Sequence, residues 1–279
     1  MQSLAAQCVT RKYYGTGEFY FPPPKFYMST AIAIAWSEYG FGIAADGRHC
    51  DASTHVVISD NVQKIFPVTV NGKPLAYVLA GIIQISDISD SGEAKLSFDF
   101  SEAVPHALIA PIEARSLWHF ADIVGKRILE SLKSALDTLR NRHPSITHVL
   151  ITGYYRGPEC VIIKFNVPES PDVPEYEVNR CELVADGFIP CGSKIILDRL
   201  SGYDGDALIE KYRPAASSGL RDIRRSVDIA RNVVLAHLDP AIRALDPKEC
   251  EPIGGHVHMA QIRQDGFSWI IPPKPVETQ

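Results

Sequence analysis

A chain of 279 residues with 46% hydrophobic side chains and a net charge of −5 can build one large domain or two ordinary ones, and its charge gives no reason to expect nucleic acid or an anionic membrane as partner. No apolar run reaches the roughly 18 to 20 residues of a transmembrane helix, and the N-terminal segment lacks the unbroken apolar stretch of a secretory signal. Six cysteines (Cys8, Cys50, Cys160, Cys181, Cys191, Cys250) form no CxxC pair, which argues against a disulfide framework or a zinc cage and fits a reducing cytoplasmic location.

Residues 1–28 mix aromatics and glycine without period, and Pro22-Pro23-Pro24 holds the backbone extended. They are expected to form an extension. It is a leader packed loosely on the domain, a propeptide to be removed, or sequence upstream of a true start at Met28. The domain proper is expected over 29–272, followed by a flexible tail at 273–279.

Two short apolar strands at 30–36 and 41–46 flank a turn at Ser37–Gly40. Their continuous apolarity suggests burial on both faces. Further strands are expected at 55–59, 64–70 and after the Asn71-Gly72 turn, together an antiparallel meander. Between 86 and 112, Pro105 and Pro111 argue against a long helix. Leu117, Phe120, Val124, Ile128, Leu132 and Leu136 recur at helical spacing, which predicts a helix over 116–142, ending before Pro144.

Strands are expected again within 147–166, turning at Arg156–Glu159. The segment from Tyr176 to Ser193 reads as another strand pair. A short helix over 208–212, a longer one over 218–238 and a hairpin turning at Asp265-Gly266 complete the pattern. Strands, helix, strands, helix, strands excludes an alternating βα plan and indicates α+β. Two antiparallel sheets with helices on the outer faces bury strands of this kind.

The chemistry concentrates in the first hairpin and just beyond it. A threonine hydroxyl needs a base to act as nucleophile. A free α-amine on the same residue serves, since its ordinary pKa lies near 8. A neighbouring lysine adds favourable positive charge, and an aspartate can orient that lysine. Thr30, Asp46 and Lys64 supply these parts, although spacing alone does not separate a site from an ion pair. The GxSxG elbow and the GxxxxGK[ST] loop are absent. His256 and His258 share a strand face but no third metal ligand is evident. Cys191 sits in a turn-like PCGS, where an inert thiol is the default.

GFGIAADGR, SDNVQKIF, LAYVLAG and IGGHVHMAQIRQDGFSWI together resemble the proteasome subunit family of N-terminal nucleophile hydrolases, from Ser29 to about Pro272. The resemblance implies a four-layer αββα sandwich of two antiparallel sheets, the N-terminal nucleophile hydrolase fold. It implies Thr30 as nucleophile, Asp46 and Lys64 beside it, and Ser193 supporting the amine. Where the resemblance implies an aspartate and, three residues on, a serine, this chain has Cys250 and Ile253. The implied activity is a threonine-type peptidase acting on peptides or unfolded protein, assembled as a homo-oligomeric ring or spiral, with no cofactor and no metal. A non-catalytic assembly subunit and a small-molecule amide hydrolase are the alternatives.

Overall fold

The computed structural model describes residues 30–50, 56–88, 94–109, 113–137, 144–169, 172–202, 206–213 and 222–274. The expected leader and most of the expected tail lie outside them.

The first five-stranded sheet is built from β1 (Ile32–Ser37), β2 (Gly40–Ala45), β12 (Phe188–Cys191), β13 (His258–Arg263) and β14 (Gly266–Ile271), in the order β12-β1-β2-β13-β14. The second comprises β5 (Ile65–Val70), β6 (Lys73–Gly81), β9 (Ser145–Tyr154), β10 (Pro158–Val167) and β11 (Glu175–Arg180), ordered β11-β10-β9-β6-β5. Every pairing in both is antiparallel. Two small two-stranded sheets join β3 (His49–Cys50) to β4 (Val57–Ser59), and β7 (Gln84–Ile88) to β8 (Ala94–Asp99).

The alternation of side chains along β1 separates two apolar layers. Ile32 and Ile34 face the second sheet, where they meet Ile65, Val78 and Leu150. Ala31, Ala33 and Ala35 face outward onto α5 (Ile223–Leu238), against Ala230 and Val234. The outer face of the second sheet is covered by α1 (Phe100–Ile109) and α2 (Leu117–Leu136), with Phe120, Val124 and Ile128 set against Leu79, Val149 and Ile163. The protein is therefore α+β, with an apolar layer between two antiparallel sheets and helices on their outer faces.

Small residues set how close the first helix layer comes. A methyl group on Gly42 would stand 2.3 Å from Val227 N and 2.4 Å from Ser226 C, so the backbones of β2 and α5 are nearly in contact. Caps fix the helix starts. Ser116 accepts from His119 N–H at α2, and Asp222 accepts from Arg224 N–H at α5.

Several expectations change. The meander does not exist as one unit: β1 and β2 belong to the first sheet, β5 and β6 to the second. Strands apolar on both faces carry no mark of which sheet they join, so adjacency in sequence was a poor guide. The expected strand pair after Tyr176 separates as well, β11 pairing with β10 and β12 with β1. Pro105 sits inside α1, which forms nonetheless because Phe100, Val104 and Ala107 are buried against the second sheet and α2. Also unexpected are α3 (Lys194–Ser201), α6 (Pro240–Arg243) and α7 (Pro247–Cys250), while the short helix α4 (Ala207–Glu210) falls close to its expected place. The end of the expected 116–142 helix lies outside the described residues, as does the start of the 218–238 helix.

Candidate functional site

The β1–β2 register pairs Ile32 with Ala45, which brings Asp46 beside Ala31. The two residues are tied twice: Asp46 N–H donates to Ala31 O at 3.0 Å, and Ala31 N–H donates to Asp46 Oδ1 at 2.8 Å. The other carboxylate oxygen accepts from Gly254 N–H at 3.0 Å and from Arg48 N–H at 3.3 Å. Three main-chain donors thus fix an aspartate that is fully buried.

Lys64 enters from the second sheet, one residue ahead of β5. Its carbonyl accepts from Leu79 N–H at 3.0 Å, and its N–H donates to His258 Nε2 at 3.0 Å. With the backbone held at both groups, the side chain crosses to the first sheet. Lys64 Nζ lies 2.9 Å from Asp46 Oδ1 and donates to Thr30 Oγ1 at 3.3 Å. Thr30 is 2% exposed, Lys64 1% and Asp46 0%. An ammonium removed this far from water is tolerable only with a close counter-charge and further polar partners, which Asp46 and Thr30 provide.

His258 belongs to this cluster, whereas the sequence pattern offered it only as one of two histidines on a strand face, structural or metal-binding. A main-chain N–H can only donate, so Nε2 carries the lone pair and the ring proton sits on Nδ1. Burial, reinforced by the Lys64 ammonium, pushes its pKa down to about 4. His256, by contrast, lies before β13 and contacts Pro272 O through Nε2 at 2.9 Å. Among the described residues no group of three or more His, Cys, Asp or Glu is placed to hold a metal.

Ser193 is buried at the start of α3. Cys191 pairs with Ile32, so the chain continues from it alongside Ala31 and Thr30. The Ser193 hydroxyl accepts from Ile196 N–H at 3.4 Å as the helix cap and donates to Asp246 Oδ2 at 2.5 Å. Thr30, Asp46 and Lys64 are in direct contact. Ser193 stands next to them on the neighbouring strand with its hydroxyl committed to Asp246.

Asp246, four residues ahead of Cys250, is the carboxylate that meets the Ser193 hydroxyl. Asp246 does not cap α7 with its own side chain, since that oxygen serves Ser193. Cys250 and Ile253 are apolar core instead.

His237 closes the site from behind. It lies on α5, buried, with Nδ1–H donating to Val233 O at 2.8 Å. Burial lowers its pKa. A methyl group on Gly192 would come within 2.4 Å of Nε2, and Gly192 has φ +150. Only glycine fits between this ring and Ser193. Cys191 is likewise buried, its thiol pushed up to about 12, so it is inert as a nucleophile. A cavity of about 410 Å³ between β8, α1 and α2, bounded by Asp99, Glu102, His106 and Arg127, includes none of the four expected site residues. Among the described residues no helix is long and apolar enough to cross a membrane.

No family model matches the chain, and no curated protein matches it. Among solved structures, the Anbu (Gly-1) mutant from Hyphomicrobium sp. strain MC1 aligns at 16% identity and a TM-score of 0.47, covering 86% of this chain and 84% of that one. Anbu from Yersinia bercovieri, described as an ancestral beta-subunit, aligns at 12% identity and a TM-score of 0.48, covering 88% and 89%. Likenesses this distant carry no argument about what the protein does. They also correct the sequence reading. Membership of the proteasome subunit family does not stand, because no family model matches and the similar structures are Anbu proteins of very low identity.

Proposed function

We propose that this chain is an amide-bond hydrolase of the threonine-nucleophile type, acting on peptide bonds once the Ser29–Thr30 bond has been cut. The observation that carries the reading is the buried Lys64 ammonium, which bridges Asp46 Oδ1 and Thr30 Oγ1. A lysine this enclosed is costly to keep, and its placement puts positive charge against the one hydroxyl that could form an alkoxide.

In the reaction, Thr30 Oγ1 attacks the substrate carbonyl and its proton passes to the freed α-amine of Thr30. The resulting ammonium donates that proton to the departing amine as the carbon–nitrogen bond breaks. Water then attacks the ester, with the α-amine again taking the proton, and the acid product leaves with Thr30 restored. Lys64 stabilises the developing alkoxide, Asp46 holds Lys64, and Ser193 with Asp246 supports the amine. On this reading the layered sheets are those of an N-terminal nucleophile hydrolase.

The test pairs intact-mass measurement of the purified protein with fluorogenic peptide hydrolysis by wild type and Thr30→Ala. The expected result is a chain beginning at Thr30 whose activity falls about 1,000-fold in the variant. Folded protein that retains Ser29, or equal rates in the two proteins, overturns the proposal and favours a non-catalytic assembly role.

A further inference from the structure

Away from the Thr30 cluster, three cysteines converge on the apolar layer between the sheets. Cys160 lies in β10, Cys181 follows β11, and Cys191 ends β12. The β10–β11 register pairs Val161 with Arg180, so Cys160 stands directly opposite Cys181. Cys181 N–H donates to Cys160 O at 2.9 Å, which makes them a hydrogen-bonded cross-strand pair. Such pairs hold their Cα atoms about 5.5 Å apart, inside the roughly 4.4 to 6.8 Å that a disulfide spans. Both side chains face the apolar layer between the sheets, Cys160 within it and Cys181 packed against it. Neither contributes to the proposed reaction, and both are free in this structure.

We infer that Cys160 and Cys181 form an oxidisable dithiol, which closes to a cross-strand disulfide when a peroxide reaches Cys181. The two thiols differ in access. Cys160 is fully enclosed, and burial pushes its pKa well above the ordinary thiol value. Cys181 is only partly buried, so oxidant meets it first. One peroxide oxidises the Cys181 thiol to a sulfenic acid, releasing one water. The Cys160 sulfur then bonds to the Cys181 sulfur and displaces hydroxide, which leaves as a second water with the Cys160 proton. Two thiols are oxidised by two electrons, and the peroxide is reduced to two waters. The enclosed partner makes the second step slow but protects the product from reductants. Cys191 lies near the pair but on a strand of the other sheet, without the cross-strand register that aligns Cys160 with Cys181.

The test treats folded protein with hydrogen peroxide, traps remaining thiols by alkylation, and maps non-reduced peptides by mass spectrometry. Expected are the loss of two thiols per chain, an intramolecular Cys160–Cys181 link, and a higher Tm that dithiothreitol reverses. Cys181→Ser and Cys181→Ala should both abolish the link, and Cys191→Ser should leave it in place. The inference fails if the link joins Cys191 or another chain, if Cys181 oxidises to the sulfinic acid while Cys160 stays alkylatable, or if neither thiol is consumed. None of these outcomes depends on whether the protein hydrolyses peptides.

Discussion

The main-chain N–H of Lys64 donates to Nε2 of His258 at 3.0 Å, joining residues 194 apart in sequence and drawn from different sheets. The bond requires a neutral imidazole. A proton on Nε2 would turn an acceptor into a donor facing another donor, close to the Lys64 ammonium.

Stability should therefore fall in acid before the protein's ordinary carboxylates titrate. His258 is held at about 4 when folded against an ordinary 6.5, so between these values the unfolded chain binds a proton that the folded chain refuses. Stability is full above about 6.5 and declines as pH drops toward 4, by about 3 kcal/mol over the window. His148, held at about 4 by burial and Lys164, acts in the same direction. Urea midpoints of wild type and His258→Asn at pH 7 and pH 4.5 check this. Asparagine can still accept from Lys64 N–H but does not titrate, so its midpoint should shift less. Equal shifts in the two proteins would remove His258 from the account.

Lys64→Met should destabilise the fold by about 3–5 kcal/mol, since it leaves the Asp46 carboxylate buried without a counter-charge. The N–H groups of Ala31, Arg48 and Gly254 still reach that carboxylate, which argues for the lower end. Asp46→Asn removes the charge but keeps a side chain able to accept. The double variant Asp46→Asn/Lys64→Met should lose less than the two single losses added, because neither charge is then stranded. Denaturant melts of the four proteins measure the coupling. Strict additivity would mean the two side chains do not share an energetic unit.

The part of the site that was readable from local pattern follows from one strand register and one strand start. A hairpin at Gly40 places Asp46 beside Ala31, and apolar strands on either side of Lys64 place that lysine at a strand start. What could not be read depends on which sheets face one another. Residues 194 apart in sequence gave no sign that His258 would accept from Lys64, and nothing near Ser193 in sequence showed that its hydroxyl would reach Asp246. His237 reads as one more polar residue at the end of a helical pattern, and its place behind Gly192 arises from how α5 lies across the first sheet. Pro105 misled for a similar reason: a local rule about helix interiors yielded to the burial of Phe100 and Val104.

Ser193→Ala should cost about 1–2 kcal/mol, since it removes the cap on Ile196 N–H and the donor to Asp246 together. Asp246→Asn disturbs only the second of these. If the hydroxyl and carboxylate act jointly on the Thr30 amine, both variants should lower peptide hydrolysis, while only Ser193→Ala shows the full stability loss. Thermal melts and initial rates on the same preparations separate the two effects. Unchanged rates in Asp246→Asn would confine that carboxylate to a structural role.

Two glycine-to-alanine changes should move stability in opposite directions. Alanine lowers the entropy of the unfolded chain relative to glycine, which stabilises by about 0.4–1 kcal/mol where the native backbone accepts it. Gly157 lies in the turn between β9 and β10 with nothing within 4 Å of an added methyl, so Gly157→Ala should gain about that amount. Gly42→Ala faces the opposite situation. Its methyl would stand 2.3–2.5 Å from Val227 N and from Ser226 C and O, all main chain, so no side chain can rotate away. The helix α5 must lift from the first sheet, and overpacking of this kind costs about 1–3 kcal/mol or more, well above the entropic gain. Because α5 also carries His237 against Gly192, lifting it should loosen the chain at Ser193 as well. Hydrogen exchange at Ile196 N–H, faster in Gly42→Ala than in wild type beyond the change in global stability, would show the helix transmitting the strain to the site. Exchange changed only by the global amount would confine the damage to the helix–sheet contact.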